Sequence, residues 1–299
     1  MNNYPIILAH GIARFDFLVQ HWAKILNSHG ISLGLAGDGL NYFKGIARHL
    51  RTHGFDVFQT SVGFASSVEE RAADLKKEIE LGLELRRNLT EKVHIIAHSM
   101  GGLDARHMIV GHGMADKVAS LTTIGTPHLG TSFADWGIEN EGDQLIEVLR
   151  GIIDLNGFAD LTTAACDTFN KSAEAAEAAN PVVYRTYAAS EEEDHIFAPL
   201  QGAWRIINDA EGENDGLVPV KSQMWRSELI GEGIPPKTVH QHIFPVPADH
   251  LNEIGWWEIN QMSRRKLFDF DLFRSVKNYE DSIKDVYLKI ARDVQELPA

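Results

Sequence analysis

The stretch KVHIIAHSMGGLDARHMIV, residues 92–110, decides the fold. Its first part is a short apolar run rich in β-branched residues, the mark of a strand buried on both faces. Its last part, GLDARHMIV, reads as a helix. Between the two stands Ser99, with Gly101 and Gly102 close behind. A strand that enters a helix through so tight a turn brings the two backbones almost into contact, so the residues two before and two after the serine must be small. Gly101 meets that demand, and Ala97 adds only one methyl. The serine is then either a nucleophile presented at the top of a sheet or an incidental residue of a strand–turn–helix. The pentapeptide alone leaves both open.

The surroundings repeat the pattern. PIILAHG at residues 5–11 and FDVFQTSV at 55–62 are two more short buried strands, and KVASLTTIGTPHLG and PVVYRTYAAS supply later ones. Helical patterns alternate with them. NYFKGIARHLRTHG carries Ile46 and Leu50 on one face and closes on Gly54, while SVEERAADLKKEIELGLELRRN opens with Ser67 and Glu70 at capping-box spacing. Strand alternating with helix predicts an α/β fold with a mainly parallel central sheet flanked by helices. From about 131 to 181 the strand rhythm stops, which predicts a helical cap insertion within a single domain spanning 1–299. Leu145, Val148, Leu149 and Ile152 fall on one helical face there, suited either to a cap that opens onto lipid or to a helix fixed on the core. The tail, YEDSIKDVYLKIARDVQEL, aligns Ile283, Val286, Ile290 and Val294 along one side of a last helix.

Composition narrows the function. The 299 residues, 44% of them hydrophobic, suffice for a sizeable core. Acidic residues outnumber basic ones 42 to 28, and the resulting net charge of −14 argues against nucleic acid as a partner. Cys166 is the only cysteine, so neither an intrachain disulfide nor a multi-thiolate metal site is possible. No basic n-region opens the chain, and no apolar run approaches the roughly 18 residues of a membrane span. The expectation is a protein in the cytoplasm, or secreted without a cleaved signal peptide, with at most peripheral contact with lipid.

A serine hydroxyl is a poor nucleophile without a base, and the base needs an acid to orient it. In α/β-hydrolases the three occur in the order serine, acid, histidine. EGENDGLVPV places Asp215 in a Gly- and Asn-rich loop, and FPVPADHLNEIGW places His250 after a further strand-like segment. Ser99, Asp215 and His250 are therefore the candidate triad, with Asp209 the next acid in line. LAHGIARFD ends the first strand in a His10–Gly11 pair, where such folds supply one backbone N–H of the oxyanion hole. That assigns Ile12 and Met100 as the two donors. Among fourteen histidines there is neither an HExxH helix nor a Cys/His framework. His240 and His242 alternate on a strand with no third ligand evident, and His128 belongs to a loop near the site.

Four stretches resemble the bacterial true lipases of the α/β-hydrolase superfamily, in particular the Pseudomonas- and Proteus-like triacylglycerol lipases of family I. They are YPIILAHGIARFD, NYFKGIARHLRTHGFDVF, VHIIAHSMGGLDAR with VASLTTIGTPHLGTS, and ENDGLVPVKSQ followed by DHLNEI. AHSMGG, with alanine leading, also looks like the form found in small Bacillus-type lipases. The resemblance covers roughly the first 130 residues and then 211–255. It implies an α/β-hydrolase fold, a triad of Ser99, Asp215 and His250, and an oxyanion hole at Ile12 and Met100.

The departures matter as well. Those lipases typically hold a structural calcium through an aspartate two residues beyond the catalytic histidine, where this chain has Asn252, a neutral and weaker ligand. The acidic run Glu191–Asp194 offers no clear second ligand. No metal ligand and no organic cofactor is therefore assigned. The segment 18–39 is longer than the corresponding family loop and is expected to border the acyl site. The function this implies is hydrolysis of carboxylic esters, acylglycerols or other lipid esters, through an acyl-enzyme. A thioesterase or polyester depolymerase using the same triad, or a non-catalytic lipid-binding protein of the same fold, are the alternatives.

Overall fold

A computed structural model describes residues 2–12, 42–63, 66–85, 92–140, 143–149, 155–257 and 272–298. Its centre is β3 (Val93–His98), every residue of which is buried. Around it lie β1 (Ile6–Ala9), β2 (Val57–Gln59), β4 (Val118–Ile124), β5 (Val183–Ala188), β6 (Glu228–Leu229) and β7 (Lys237–Ile243). They form one sheet in the order β2-β1-β3-β4-β5-β7-β6. Every pair is parallel except β6 with β7.

Parallel neighbours need crossovers, and helices supply them. The first three are α1 (Ile46–Thr52), α2 (Val68–Leu85) and α3 (Met100–Gly111). Alternate strand residues feed two apolar clusters, one on each face. Ile6, Leu8, Ile96 and Ile124 pack with Leu50 of α1 and with Ile283, Ile290 and Val294 of the final helix (Leu272–Gln295). Ile7, Ala9, Ile95 and Leu121 pack on the other side with Leu75 and Ile79 of α2 and Met108 of α3. This is why the strands read as unbroken apolar runs rather than alternating ones. The capping box at the start of α2 is formed: Glu70 N–H donates to Ser67 Oγ at 3.3 Å, and Ser67 N–H donates to Glu70 Oε2 at 3.2 Å.

Between β4 and β5 the chain forms α4 (Ser132–Glu139), α5 (Gln144–Leu149), a 3-10 turn at Leu155–Leu161 and α6 (Thr163–Ala179). Leu145 packs against Gly202 of α7 (Gln201–Glu211). The side chains of Val148 and Leu149, all of Ile152 and the segment 18–39 lie outside the described residues. Helix α6 is bound to the sheet domain at both its middle and its end. Arg106 of α3 forms a fully buried pair with Glu177, Nε to Oε1 at 2.7 Å, and donates to Asn170 Oδ1 at 2.7 Å. At the C-terminal end Lys237 donates to the carbonyl oxygens of Glu177, Asn180 and Val182. A cation among the last carbonyls of a helix also complements its dipole. Among the described residues no helix is long and apolar enough to cross a membrane.

Candidate active site

Ser99 occupies the junction of β3 and α3 with φ 57° and ψ −137°, a left-handed conformation that non-glycine residues rarely adopt. The surroundings hold it there. Ser99 N–H donates to Ile124 O at 2.9 Å, and Ser99 O accepts from Thr126 Oγ1 at 2.8 Å and Gly102 N–H at 3.0 Å. A Cβ on Gly101 would lie 2.7 Å from His10 O and 2.8 Å from Ala9 O, so the position must be small, though the backbone it approaches is the end of β1 rather than β3 as the pentapeptide suggests. Ala97 is fully buried and pairs with Ala9 and Thr123, and its methyl is absorbed into the core.

Asp215 lies in a loop closed by an antiparallel bridge from Asn214 to Pro219 and turned by Gly216 at φ 99°. Its Oδ1 accepts from Leu217 N–H at 2.9 Å and Val218 N–H at 2.7 Å, and its Oδ2 accepts from Gln223 Nε2 at 3.2 Å. The same Oδ2 stands 2.8 Å from His250 Nδ1, and His250 Nε2 stands 2.8 Å from Ser99 Oγ. A carboxylate already surrounded by donors assigns the proton to Nδ1, which leaves Nε2 to accept from the serine. Two backbone devices fix the histidine. His250 N–H donates to Asp215 O at 2.8 Å, and Asp249 caps the next turn, accepting from Leu251 and Asn252 N–H at 3.0 and 2.8 Å and from Phe197 N–H at 2.8 Å. The structure therefore brings the three sequence candidates into one hydrogen-bonded row. Asp209 is exposed on α7.

Beneath His250 lies a polar layer that sequence reasoning missed. The His98 ring is 4.5 Å from that of His250, with its Nδ1 2.7 Å from Tyr42 Oη and its Nε2 2.9 Å from Glu253 Oε2. Burial, aided by the neighbouring His250, holds His98 well below the ordinary imidazole range. Burial and the nearby Asp215 and Asp249 push Glu253 well above the carboxylate range. The pair is accordingly neutral, a floor rather than a second charge.

The oxyanion candidates flank the serine. Met100 opens α3, so no helical carbonyl reaches its amide, and Ile12 lines the same cleft as Ser99 and His250. A Cβ on Gly11 would lie 2.7 Å from Ser99 Cβ and 3.0 Å from Ser99 Oγ, so glycine there is a condition of the serine's position. The turn is anchored from behind. Arg71 Nη2 donates to His10 O at 2.9 Å, and the same fully buried guanidinium grips Asp104 of α3 with Nη2–Oδ2 at 2.7 Å. His10 accepts Val62 N–H on Nε2 at 3.1 Å and donates from Nδ1 to Gly11 O at 2.7 Å. Burial and Arg71 lower its pKa to about 4, so it stays neutral.

Asn252 Oδ1 accepts from Asp249 N–H and Tyr279 Oη, and its Nδ2 donates to Trp256 O at 2.7 Å, so it does not fit a calcium ligand. Glu193 of the acidic run pairs with Arg205. Among the described residues the one cluster of metal-ligand type is His98, His250 and Glu253, whose nitrogens are already engaged as described. His242 stacks on Tyr187 at 4.6 Å, and His240 is exposed. His128 is buried, between Arg106, Thr123 and the face of Trp225.

A narrow cleft leads to Ser99 and His250 between largely apolar walls. An ester group in it would meet the Ser99 hydroxyl and the His250 ring together.

The fold is that of the α/β-hydrolases, and the row of Ser99, His250 and Asp215 is the arrangement that their chemistry needs. Residues 42–155 match the family model described as a PGAP1-like alpha/beta domain. The chain is 29% identical to triacylglycerol lipase 2 of Saccharomyces cerevisiae, over 97% of this chain and 90% of the other. It is also 29% identical to a triacylglycerol lipase of Vibrio cholerae, over 72% of each. Lipase 1 from Pelosinus fermentans superposes over the whole of both chains with a TM-score of 0.62 at 18% identity, a likeness of fold.

Proposed function

We propose that this chain is a serine hydrolase of carboxylic esters that acts on lipid esters, acylglycerols among them. The observation that carries the proposal is the unbroken row from Asp215 through His250 to Ser99, at 2.8 Å per step, ending in an apolar cleft. Kinship in sequence with triacylglycerol lipases supports the choice of substrate. The four stretches that resemble the Pseudomonas- and Proteus-like lipases favour, within the lipases, kinship with family I. Helices α4 to α6, within about 131–181, act as the cap that walls the acyl site.

His250 Nε2 takes the hydroxyl proton as Ser99 Oγ bonds to the ester carbonyl carbon. The carbonyl oxygen becomes an oxyanion between the Ile12 and Met100 amides, each worth about 3 kcal/mol. The bond to the alcohol oxygen then breaks, and that oxygen leaves with the proton from Nε2. Water repeats the sequence on the acyl-enzyme: it gives a proton to His250, bonds to the acyl carbon, and expels Ser99 Oγ, which recovers the proton. Asp215 holds Nδ1–H and stabilises the imidazolium throughout.

The test is hydrolysis of p-nitrophenyl esters from acetate to palmitate by the wild type and Ser99→Ala side by side. Turnover by the wild type alone is expected. Equal rates, or a folded wild type inert on every ester, would overturn the proposal.

A further inference from the structure

We infer that Phe158 sets the acyl-chain length, seated by Gly137; the inference rests on the hydrolase reading above. The cleft has two sides. Leu217, Val218 and Leu251 neighbour the acid and the base in sequence, whereas Phe133, Phe158 and Leu161 come from the insertion. A Cβ on Gly157 would lie 2.8 Å from Met100 Cε and 3.2 Å from its Sδ, so the turn carrying Phe158 rests on an oxyanion residue. With the carbonyl oxygen at that amide and the leaving alcohol directed to His250, the acyl chain runs toward Phe158.

The ring is not loosely placed. It meets Phe133 edge-on at 5.4 Å and is 4% exposed. A Cβ on Gly137 of α4 would fall on the Phe158 ring itself and lie 3.2 Å from Ile146 Cδ1. The missing side chain at 137 is therefore the notch into which the ring withdraws. A methyl there pushes the ring away from α4, where Phe133 and Ile146 already stand beside it, and toward the cleft that Phe158 lines. Truncating the ring extends the channel instead.

The two changes have opposite signs on one ratio, kcat/KM for p-nitrophenyl laurate over butyrate. Phe158→Ala is expected to raise it about tenfold, near the transfer value of two methylenes, and Gly137→Ala to lower it. A ratio is insensitive to a general loss of active enzyme. If Phe158→Ala does not fold, Phe158→Leu and Gly137→Ala carry the same comparison. Wild-type turnover absent from Ser99→Ala, with ratios unmoved in the other variants, overturns the role of Phe158 and leaves the hydrolase reading standing. A wild type inert on both esters overturns the hydrolase reading itself.

Discussion

Ser99 holds a strained backbone conformation, and the residues that enforce it are small ones whose absent side chains make room. Gly11 is the sharpest case. Adding a methyl puts a carbon within 2.7 Å of Ser99 Cβ. Gly11→Ala is therefore expected to lower kcat on a p-nitrophenyl ester about a hundredfold while circular dichroism stays native, the usual cost of displacing a reacting atom by about 1 Å. Asp215→Asn keeps the shape and removes the charge that selects the Nδ1–H tautomer; kcat is expected to fall about 10⁴-fold. Activity within tenfold of the wild type would refute that role. At this scale much was legible. An elbow, an Asp-Gly loop and a His-Gly turn are local patterns, ambiguous singly, and it is their order along the chain that makes Ser99, Asp215, His250 and the turn at Gly11 candidates. Gln223, Glu253 and Tyr42 belong to no such pattern. Each acts across a tertiary contact, such as His98 with Glu253 over 155 positions, that no periodicity reports.

The elements are tied together by buried ion pairs that hydrophobic patterning hides. Arg71 joins α2, α3 and the His10 carbonyl, and Arg106 joins α3 to α6. Both arginines sit in helices the sequence predicts, yet both are fully buried, with side chains that look solvent-facing by residue type. Removing one partner strands the other charge in the interior. Arg106→Ala is expected to cost about 3–5 kcal/mol by urea denaturation, because Glu177 is left without its cation. A loss under 1 kcal/mol would mean that α6 is held by its apolar contacts alone. The strand and helix order was legible chiefly through the central strands β1, β3 and β4, which are buried along nearly their whole length and so read as short unbroken apolar runs. The two-residue β6 was not, being too short to show a period.

For the whole molecule, buried neutral histidines set the response to acid. Burial lowers His10 and His94 to about 4 from 6.5, so the folded state binds fewer protons than the unfolded chain between those values. Their stabilisation is complete above pH 6.5 and is lost as pH falls toward 4. Asp104 acts in the opposite sense: burial raises it to about 6 from 3.8, and it regains stability on acidification. His98 and His128, held low by burial, add to the loss, while Glu253, held high, opposes it together with Asp104; the buried histidines outnumber the two carboxyls, so stability is expected to fall between pH 7.5 and 5.5. Urea midpoints at the two pH values check this, and an equal or higher midpoint at pH 5.5 would contradict it. The central claim is that Ser99 carries the acyl group. Its most direct test is acid quenching of the wild type during turnover of p-nitrophenyl laurate, followed by mass spectrometry of the peptides. A lauroyl adduct on the peptide containing Ser99 is expected, whereas steady turnover with the adduct on another residue, or with none, would contradict the claim.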